Sequence, residues 1–441
     1  MSTRAKNILI VGAGAGGLPL AGWLGRRYRK HPNVTVTLVD RSLSHVWKPL
    51  LHEYAVGTLT SNDDEINLFA HSQQWGYEFV FGAMEAIDRD AKQVQLAAHI
   101  DADGAEVLPT RRVDYDVLVI ATGSTCSDFG IDGVAENTIK LDDKPAAENF
   151  HREFIHYLLR GESREAHKEA DELRQRSIVI VGAGATGVEL AAQIQEVINN
   201  IRNFGLRHYP REDTRVILLE AAERCVPGLG TNISNRVAET LDRMGVDLRT
   251  GKQVARMGKH SIEIEGEAAI AADLIVWAAG IEAYSWQEGL DLETNGKHQI
   301  RVERSLQSTT DPNIFAMGDC AGIEYESGDG TVTVPPLAQA AFQQAQYLRR
   351  AIPQWLNEGD ITMPFTFRQR GSLVTVASED ASGNIMGKYI QSLGIYGLLA
   401  RIAYLSLYRR HQLAVLGPWQ TLAALVRNAL SASPGSRLKL H

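Results

Sequence analysis

Ile8-Leu9-Ile10-Val11-Gly12-Ala13-Gly14-Ala15-Gly16-Gly17 opens the chain, and Ile178-Val179-Ile180-Val181-Gly182-Ala183-Gly184-Ala185-Thr186-Gly187 repeats it further on. Each copy is a run of apolar, largely β-branched residues, then Gly-x-Gly-x-x-Gly, then a helical stretch, residues 18–29 and 188–201. Each helix leads to a second strand ending in an acid, residues 34–40 closing on Asp40 and 215–220 closing on Glu220. One glycine fingerprint alone is weak evidence. Two copies in strand–turn–helix–strand–acid order specify an α/β chain with two Rossmann-type dinucleotide-binding units.

The residue types follow from what the turn must do. Gly12 and Gly182 permit the tight turn out of the strand, and Gly14 and Gly184 let the backbone approach a pyrophosphate. Gly17 and Gly187 let the helix pack closely on the sheet. The phosphates then sit among free N–H groups at the positive end of the helix. Asp40 and Glu220 stand where a carboxylate bonds both hydroxyls of an adenosine ribose and repels a 2′-phosphate. The second unit is therefore expected to take NADH rather than NADPH. Glu220 lies 33 residues past Gly187, beyond the usual ~20. The polar stretch 199–214 reads as a helix extension plus a loop that accounts for the excess.

Further strands complete both units. Residues 115–120 run into Ala121-Thr122-Gly123, and residues 272–277 run into Ala278-Ala279-Gly280. Small residues at these strand ends suit a backbone that passes close to a cofactor. Residues 313–319 then return a strand to the first unit, so the second unit is inserted into the first. The expected division is 1–125 and 300–365 for the first unit, 126–299 for the second, and 366–441 for a C-terminal region.

Composition narrows the chemistry. With 441 residues, 44% apolar and 22% charged, the chain can bury two or three cores. Cys126, Cys225 and Cys320 are far apart and show no CxxC spacing. That argues against a disulfide framework, a zinc site and an iron–sulfur cluster. None of the 13 histidines has metal-ligand spacing, His45 and His52 read as structural, and no metal is expected. The strand at 7–11 follows residues 2–6 at once, leaving no room for a targeting segment. No window reaches the ~18 apolar residues of a membrane span. The formal charge of −8 hides an asymmetry, for residues 381–441 hold no acid but seven Lys or Arg. Such a tail suits nucleic acid or an anionic membrane surface.

A family likeness enters with more specific runs. Residues 310–319, closing on Gly318-Asp319, resemble the second FAD motif of two-dinucleotide flavoprotein reductases, whose Asp bonds the ribityl chain. Pro336-Leu337-Ala338-Gln339-Ala340-Ala341-Phe342-Gln343 resembles the AQxAxQ signature of type II NADH:quinone oxidoreductases. Trp47-Lys48-Pro49-Leu50-Leu51-His52-Glu53, Phe129-Gly130-Ile131-Asp132-Gly133-Val134 and Arg437-Leu438-Lys439-Leu440-His441 are similar to its bacterial branch. The resemblance implies a glutathione-reductase-like fold that holds FAD non-covalently and takes NADH as substrate. The FAD site would comprise Gly12, Gly14, Gly17, Asp40, Lys48, Ala121, Thr122, Gly123, Gly318, Asp319 and Ala338. The NADH site would comprise Gly182, Gly184, Gly187, Glu189, Glu220, Ala279 and Gly280. It further implies that Glu189 faces the nicotinamide and flavin, with Gln339 and Gln343 beside the flavin at the quinone pocket.

These positions have ordinary roles as well. Pro335-Pro336 can open a helix whose positive end favours charge on a reduced flavin. Gln339 and Gln343 share a helix face at i, i+4, and could simply meet solvent. Glu189 suits a helix start on dipole grounds alone.

The tail reads as two helices, 394–410 and 418–430. In the second, Trp419, Leu422, Val426, Ala429 and Leu430 fall near one face, with Gln420, Arg427 and Asn428 largely opposite. Basic residues, an aromatic anchor and an apolar stripe describe a helix lying in a membrane interface. A cover for the first unit or a homodimer interface are the alternatives. Nucleic acid is disfavoured, because the basic residues are interleaved with large apolar ones. The expected activity is hydride transfer from NADH to FAD and on to a membrane quinone, without proton pumping. It is expected at the cytoplasmic face of the bacterial inner membrane. Sulfide:quinone oxidoreductases share this fold but rely on cysteines bracketing the flavin, and Cys126 and Cys320 keep that alternative open; a non-enzymatic, NADH-sensing flavoprotein that binds a partner through its tail is the other alternative.

Overall fold

The computed structural model describes residues 5–57, 65–167, 176–328, 330–376, 380–387, 390–396, 406 and 409–430. The first unit begins with β1 (Lys6–Val11), α1 (Gly17–Tyr28), β2 (Val34–Asp40), α2 (Leu51–Val56), β3 (Glu78–Phe81) and β4 (Val117–Ile120). The second holds β5 (Ile139–Lys140), α3 (Lys144–His167), β6 (Arg176–Val181) and α4 (Ala185–Asn199). It continues with β7 (Thr214–Leu219), α5 (Thr231–Met244), β8 (Val246–Arg249) and β9 (Leu274–Trp277). β10 (Ile314–Ala316) rejoins the first sheet, and α6 (Ala338–Glu358) follows it.

The two sheets are copies of one plan. Their strand orders are β10-β4-β1-β2-β3 and β5-β9-β6-β7-β8, and every pairing is parallel. Val11 aligns with Val39 and Ile120, as Val181 aligns with Leu219 and Trp277. Strands covered on both faces must be apolar throughout, and Ile8, Leu9, Ile10, Ile178, Val179 and Ile180 are completely buried. The central strand of each sheet is flanked by β4 and β2, or by β9 and β7, so the connections diverge at its C-terminal end. Open α/β sheets bind ligands at that point.

Three departures from the sequence expectation have packing causes. The chain re-enters the first unit before residue 300, because Ala283, Leu290 and Leu292 bury themselves in the first core. Helix α2 precedes the second unit, yet its Leu51, Ala55 and Val56 belong to the second core. The C-terminal region begins as an antiparallel sheet of β11 (Gly371–Val376), β12 (Asp380–Gly387) and β13 (Ile390–Tyr396), packed against α4 and α5.

The helix expected at 394–410 accordingly starts later. Residues 394–396 finish β13, where Asn384 pairs with Gly394 and Ser382 with Tyr396, so strand pairing overrides the helical spacing. Residues 397–405 lie outside the described residues, and 409–416 are helical. Helix α7 (Pro418–Leu430) forms as expected, with proline at its first position. The side chains of 427–430 and the closing run 437–441 lie outside the described residues. No helix among the described residues is long and apolar enough to cross a membrane.

Candidate active site

A cleft of about 1490 Å³ is lined from both units. All eleven residues expected at FAD border it, as do Gly182, Gly184, Glu189, Glu220, Ala279 and Gly280 from the NADH set. Gly187 does not line it.

Gly12 and Gly182 turn the chain at φ +108° and +101°, a region that side chains rarely adopt. A Cβ on Gly17 would stand 1.9 Å from the Gly12 carbonyl oxygen, and one on Gly187 would stand 1.9 Å from that of Gly182. The third glycine thus lies beneath the loop. A Cβ on Gly14 or Gly184 would meet no protein atom within 4 Å, although both residues line the cleft. There the bare backbone faces open space, as close approach of a pyrophosphate requires. Neither helix has a side-chain N-cap bond, since Gly16 and Gly184 occupy those positions. The first-turn N–H groups remain available to an anion. Both units therefore fit a dinucleotide.

The two acids are built alike. Asp40 accepts from the N–H of Ala13 at 2.5 Å and of Ser42 at 2.7 Å. Glu220 accepts from Ala183 at 2.7 Å and Ala222 at 2.9 Å. Each carboxylate pins its glycine loop, and each oxygen keeps a lone pair for a ribose hydroxyl.

At the flavin end, Lys48 Nζ donates to the Ser124 carbonyl at 2.9 Å, and Ser124 Oγ donates to Asp319 Oδ2 at 2.7 Å. The Gly318 N–H donates to the Gln344 amide oxygen at 2.6 Å, and Gln344 is buried. Neither Ser124 nor Gln344 is singled out by the sequence reading. Gln344 was findable, because it interrupts the buried stripe Ala340, Ala341, Ala345 and Leu348, where an amide must have a partner.

The glutamines of the AQxAxQ run hold a neighbouring segment of the chain. The helix starts at Ala338 with Leu337 as N-cap, two residues after the proline pair. Neither Gln339 nor Gln343 lines the cleft. Gln339 donates to the Gly371 carbonyl at 2.9 Å and accepts from the Arg370 N–H at 3.1 Å. Gln343 does the same with Arg368, at 2.9 and 3.0 Å. The i, i+4 pair clamps the chain that leads into β11, a partner the helix pattern alone does not reveal.

Two histidines that read as structural belong to the site's support. His45 Nδ1 donates to the Ala13 carbonyl at 2.7 Å, so its Nε2 accepts from His411 at 3.0 Å. His411 stacks on Trp47, and the tail thereby reaches the back of the first glycine loop. His52 Nδ1 lies 3.5 Å from Glu189 Oε2, with both side chains buried. Burial depresses the His45 and His52 rings to a pKa of about 4, so both are neutral near pH 7.

Burial and then the Asp142 charge push the Cys126 thiol up, and burial pushes Cys320 up. Both keep their protons near neutral pH, and nucleophilic sulfur chemistry needs the thiolate.

Residues 6–345 match the family of pyridine nucleotide-disulphide oxidoreductases, and the chain belongs to it. Within that class, a type II NADH:quinone oxidoreductase of Haemophilus influenzae is 36% identical over 448 residues, spanning 99% of this chain and 100% of the relative. The chain is a member of the type II NADH:quinone oxidoreductase family. Its fold matches that of NDH2 from Plasmodium falciparum in complex with NADH at a TM-score of 0.80, with 18% identity over 99% of this chain and 100% of the other. The sulfide:quinone oxidoreductase of Aquifex aeolicus shares the fold at a TM-score of 0.67 and 18% identity, over 98% and 96% of the two chains.

Proposed function

We propose that NADH held on the second unit passes a hydride to FAD on the first, and that a membrane quinone reoxidises the flavin without proton pumping. The observation that carries this is the single cleft bordered by both glycine loops, both ribose-side acids and Glu189. Bound FAD supplies the two-electron acceptor between donor and quinone. The balance is NADH, quinone and one proton giving NAD⁺ and quinol.

The chain's own residues do the positioning. The helix α1 and α4 N-termini and the loop glycines hold the pyrophosphates, while Asp40 and Glu220 hold the riboses. As hydride leaves NADH, its ring becomes positive, and the Glu189 carboxylate in the cleft favours that charge. Beyond their backbone bonds, Gln339 and Gln343 each keep one N–H and one lone pair. On this proposal they act on the quinone side, presenting an N–H to a carbonyl while holding residues 368–371. Sulfide oxidation through cysteine is disfavoured by the protonated thiols of Cys126 and Cys320.

The membrane partner is proposed from α7. Trp419, Leu422, Leu425 and Val426 are 81%, 52%, 39% and 52% exposed, an apolar face in a tail without acids. Such a face suits an anionic lipid surface, here the cytoplasmic side of a bacterial inner membrane. A homodimer through this face would register instead as a doubled mass in solution without lipid. The absorption spectrum of the purified protein tests the reaction. Flavin bands should bleach with NADH and return when quinone is added; bleaching without return would leave an NADH sensor.

A further inference from the structure

Helix α2 lies at the seam of the molecule. It follows the first unit's second strand, but Leu51, Ala55 and Val56 pack in the second unit's core, against α3 and α4. His52 sits among them, 2% exposed, and faces Glu189 from the side away from the cleft: Glu189 lines the cleft and His52 does not. The Nδ1–Oε2 separation of 3.5 Å is a close polar contact, somewhat longer than a normal hydrogen bond. Catalytic contacts of this kind often tighten only when the ligand is bound. Pro49, three residues before His52, is itself a wall of the cleft.

A carboxylate as buried as that of Glu189 needs defined neighbours to keep one orientation. A neutral imidazole can supply direction without cancelling its charge. We propose that His52 is a positioning residue for the NADH half-reaction: from the flavin unit's α2 it orients the Glu189 carboxylate toward the nicotinamide. This rests on the role given to Glu189 above. Flavin reduction would then depend on a contact that crosses between the two units, so that the donor-side carboxylate is aligned relative to the flavin's own unit.

The test is anaerobic stopped-flow on the flavin-loaded enzyme, following reduction at saturating NADH and, separately, reoxidation by quinone. His52→Phe keeps the ring's bulk but removes its nitrogens, and His52→Leu is the second choice should Phe disturb the core. The limiting reduction rate should fall on the order of tenfold to hundredfold, as for a misplaced group, with NADH affinity changed much less and reoxidation unchanged. His52→Asn, which restores an N–H near the Nδ1 position, should recover most of the rate. Adding His52→Phe to Glu189→Gln should cost little beyond Glu189→Gln alone. If Glu189→Gln leaves reduction unchanged, the role of Glu189 is wrong. If Glu189→Gln slows reduction but the His52 variants do not, or Asn gives no recovery, the positioning role alone is overturned.

Discussion

Alanine at Gly187 separates the two nucleotide sites. Its Cβ would stand 1.9 Å from the Gly182 carbonyl oxygen, whereas real Cβ contacts essentially never fall below 3.0 Å. The clash is with backbone, so no side-chain rotation relieves it, and Val188 is already committed to the Gly184 carbonyl in the helix ladder. The loop must move by about 1 Å, an overpacking that costs ~1–3 kcal/mol. If that loop holds the NADH pyrophosphate as proposed, a displacement of this size should weaken NADH binding by up to roughly 5- to 150-fold. FAD should remain bound, since the first loop is untouched. Gly17→Ala makes the same clash with Gly12 and should instead yield protein depleted of flavin. Gly184→Ala is the control: its methyl meets no protein atom, so thermal stability should be unchanged while NADH binding weakens. Flavin absorbance of the purified variants and NADH titration of the flavin-replete ones measure all three. Gly187→Ala protein that loses flavin while keeping NADH affinity would refute the assignment of units to nucleotides.

Glu220→Ala removes the ribose carboxylate and the anchor of the Ala183 N–H, and should raise the NADH KM by an amount equivalent to about 1.5–3 kcal/mol; equal kcat/KM for NADPH and NADH in the unmodified enzyme would sink this. Gln339→Ala or Gln343→Ala should slow quinone reoxidation several-fold, through about 1 kcal/mol per lost bond, and leave NADH reduction unchanged. Trp419→Glu with Val426→Glu should release the enzyme from anionic vesicles with its flavin retained, and undiminished co-sedimentation would make α7 a structural helix. Burial holds His45, His52 and His71 at a pKa of about 4 against an ordinary 6.5. The unfolded chain takes up these protons first, so stability is greatest above pH 6.5 and falls as pH drops toward 4, by on the order of 3 kcal/mol per ring; an unfolding midpoint that stays flat between about pH 7 and 5 contradicts it.

The legible parts of the fold were those specified by local sequence. The glycine loops, their acids and the strand ends at Gly123 and Gly280 each need particular residue types within a few positions, and all of them border one cleft. Partners brought together across the chain were not legible. His45 meets His411 over 366 positions, and Gln339 meets Arg370 and Gly371 where the chain enters a strand whose sequence carries little periodicity. Helical spacing in 394–410 misled, because a hairpin with β12 claims its first residues, and pairing is a non-local property. His52 looked structural for a sound reason, since most lone histidines are; only the packing of α2 on α4 shows what it faces.

The duplication also shows where function breaks symmetry. In the first loop, a Cβ on Gly16 would stand 2.8 Å from the Ala341 carbonyl oxygen and 2.2 Å from the Met317 methyl, because α6 packs directly on α1. Its counterpart Thr186 is exposed and lines the cleft, for α4 has α2 beside it instead. Two positions after the third glycine stand Pro19 in one unit and Glu189 in the other. Pro19 lacks an N–H and is buried in a first turn that needs none from it. Glu189 brings a carboxylate to the same station, and α2, displaced into the second unit, sets His52 against it. The two sheets differ least where each must bind a pyrophosphate. They differ two positions past the third glycine, where one carries a buried proline and the other carries Glu189, the carboxylate that the proposed reaction sets on the nicotinamide side.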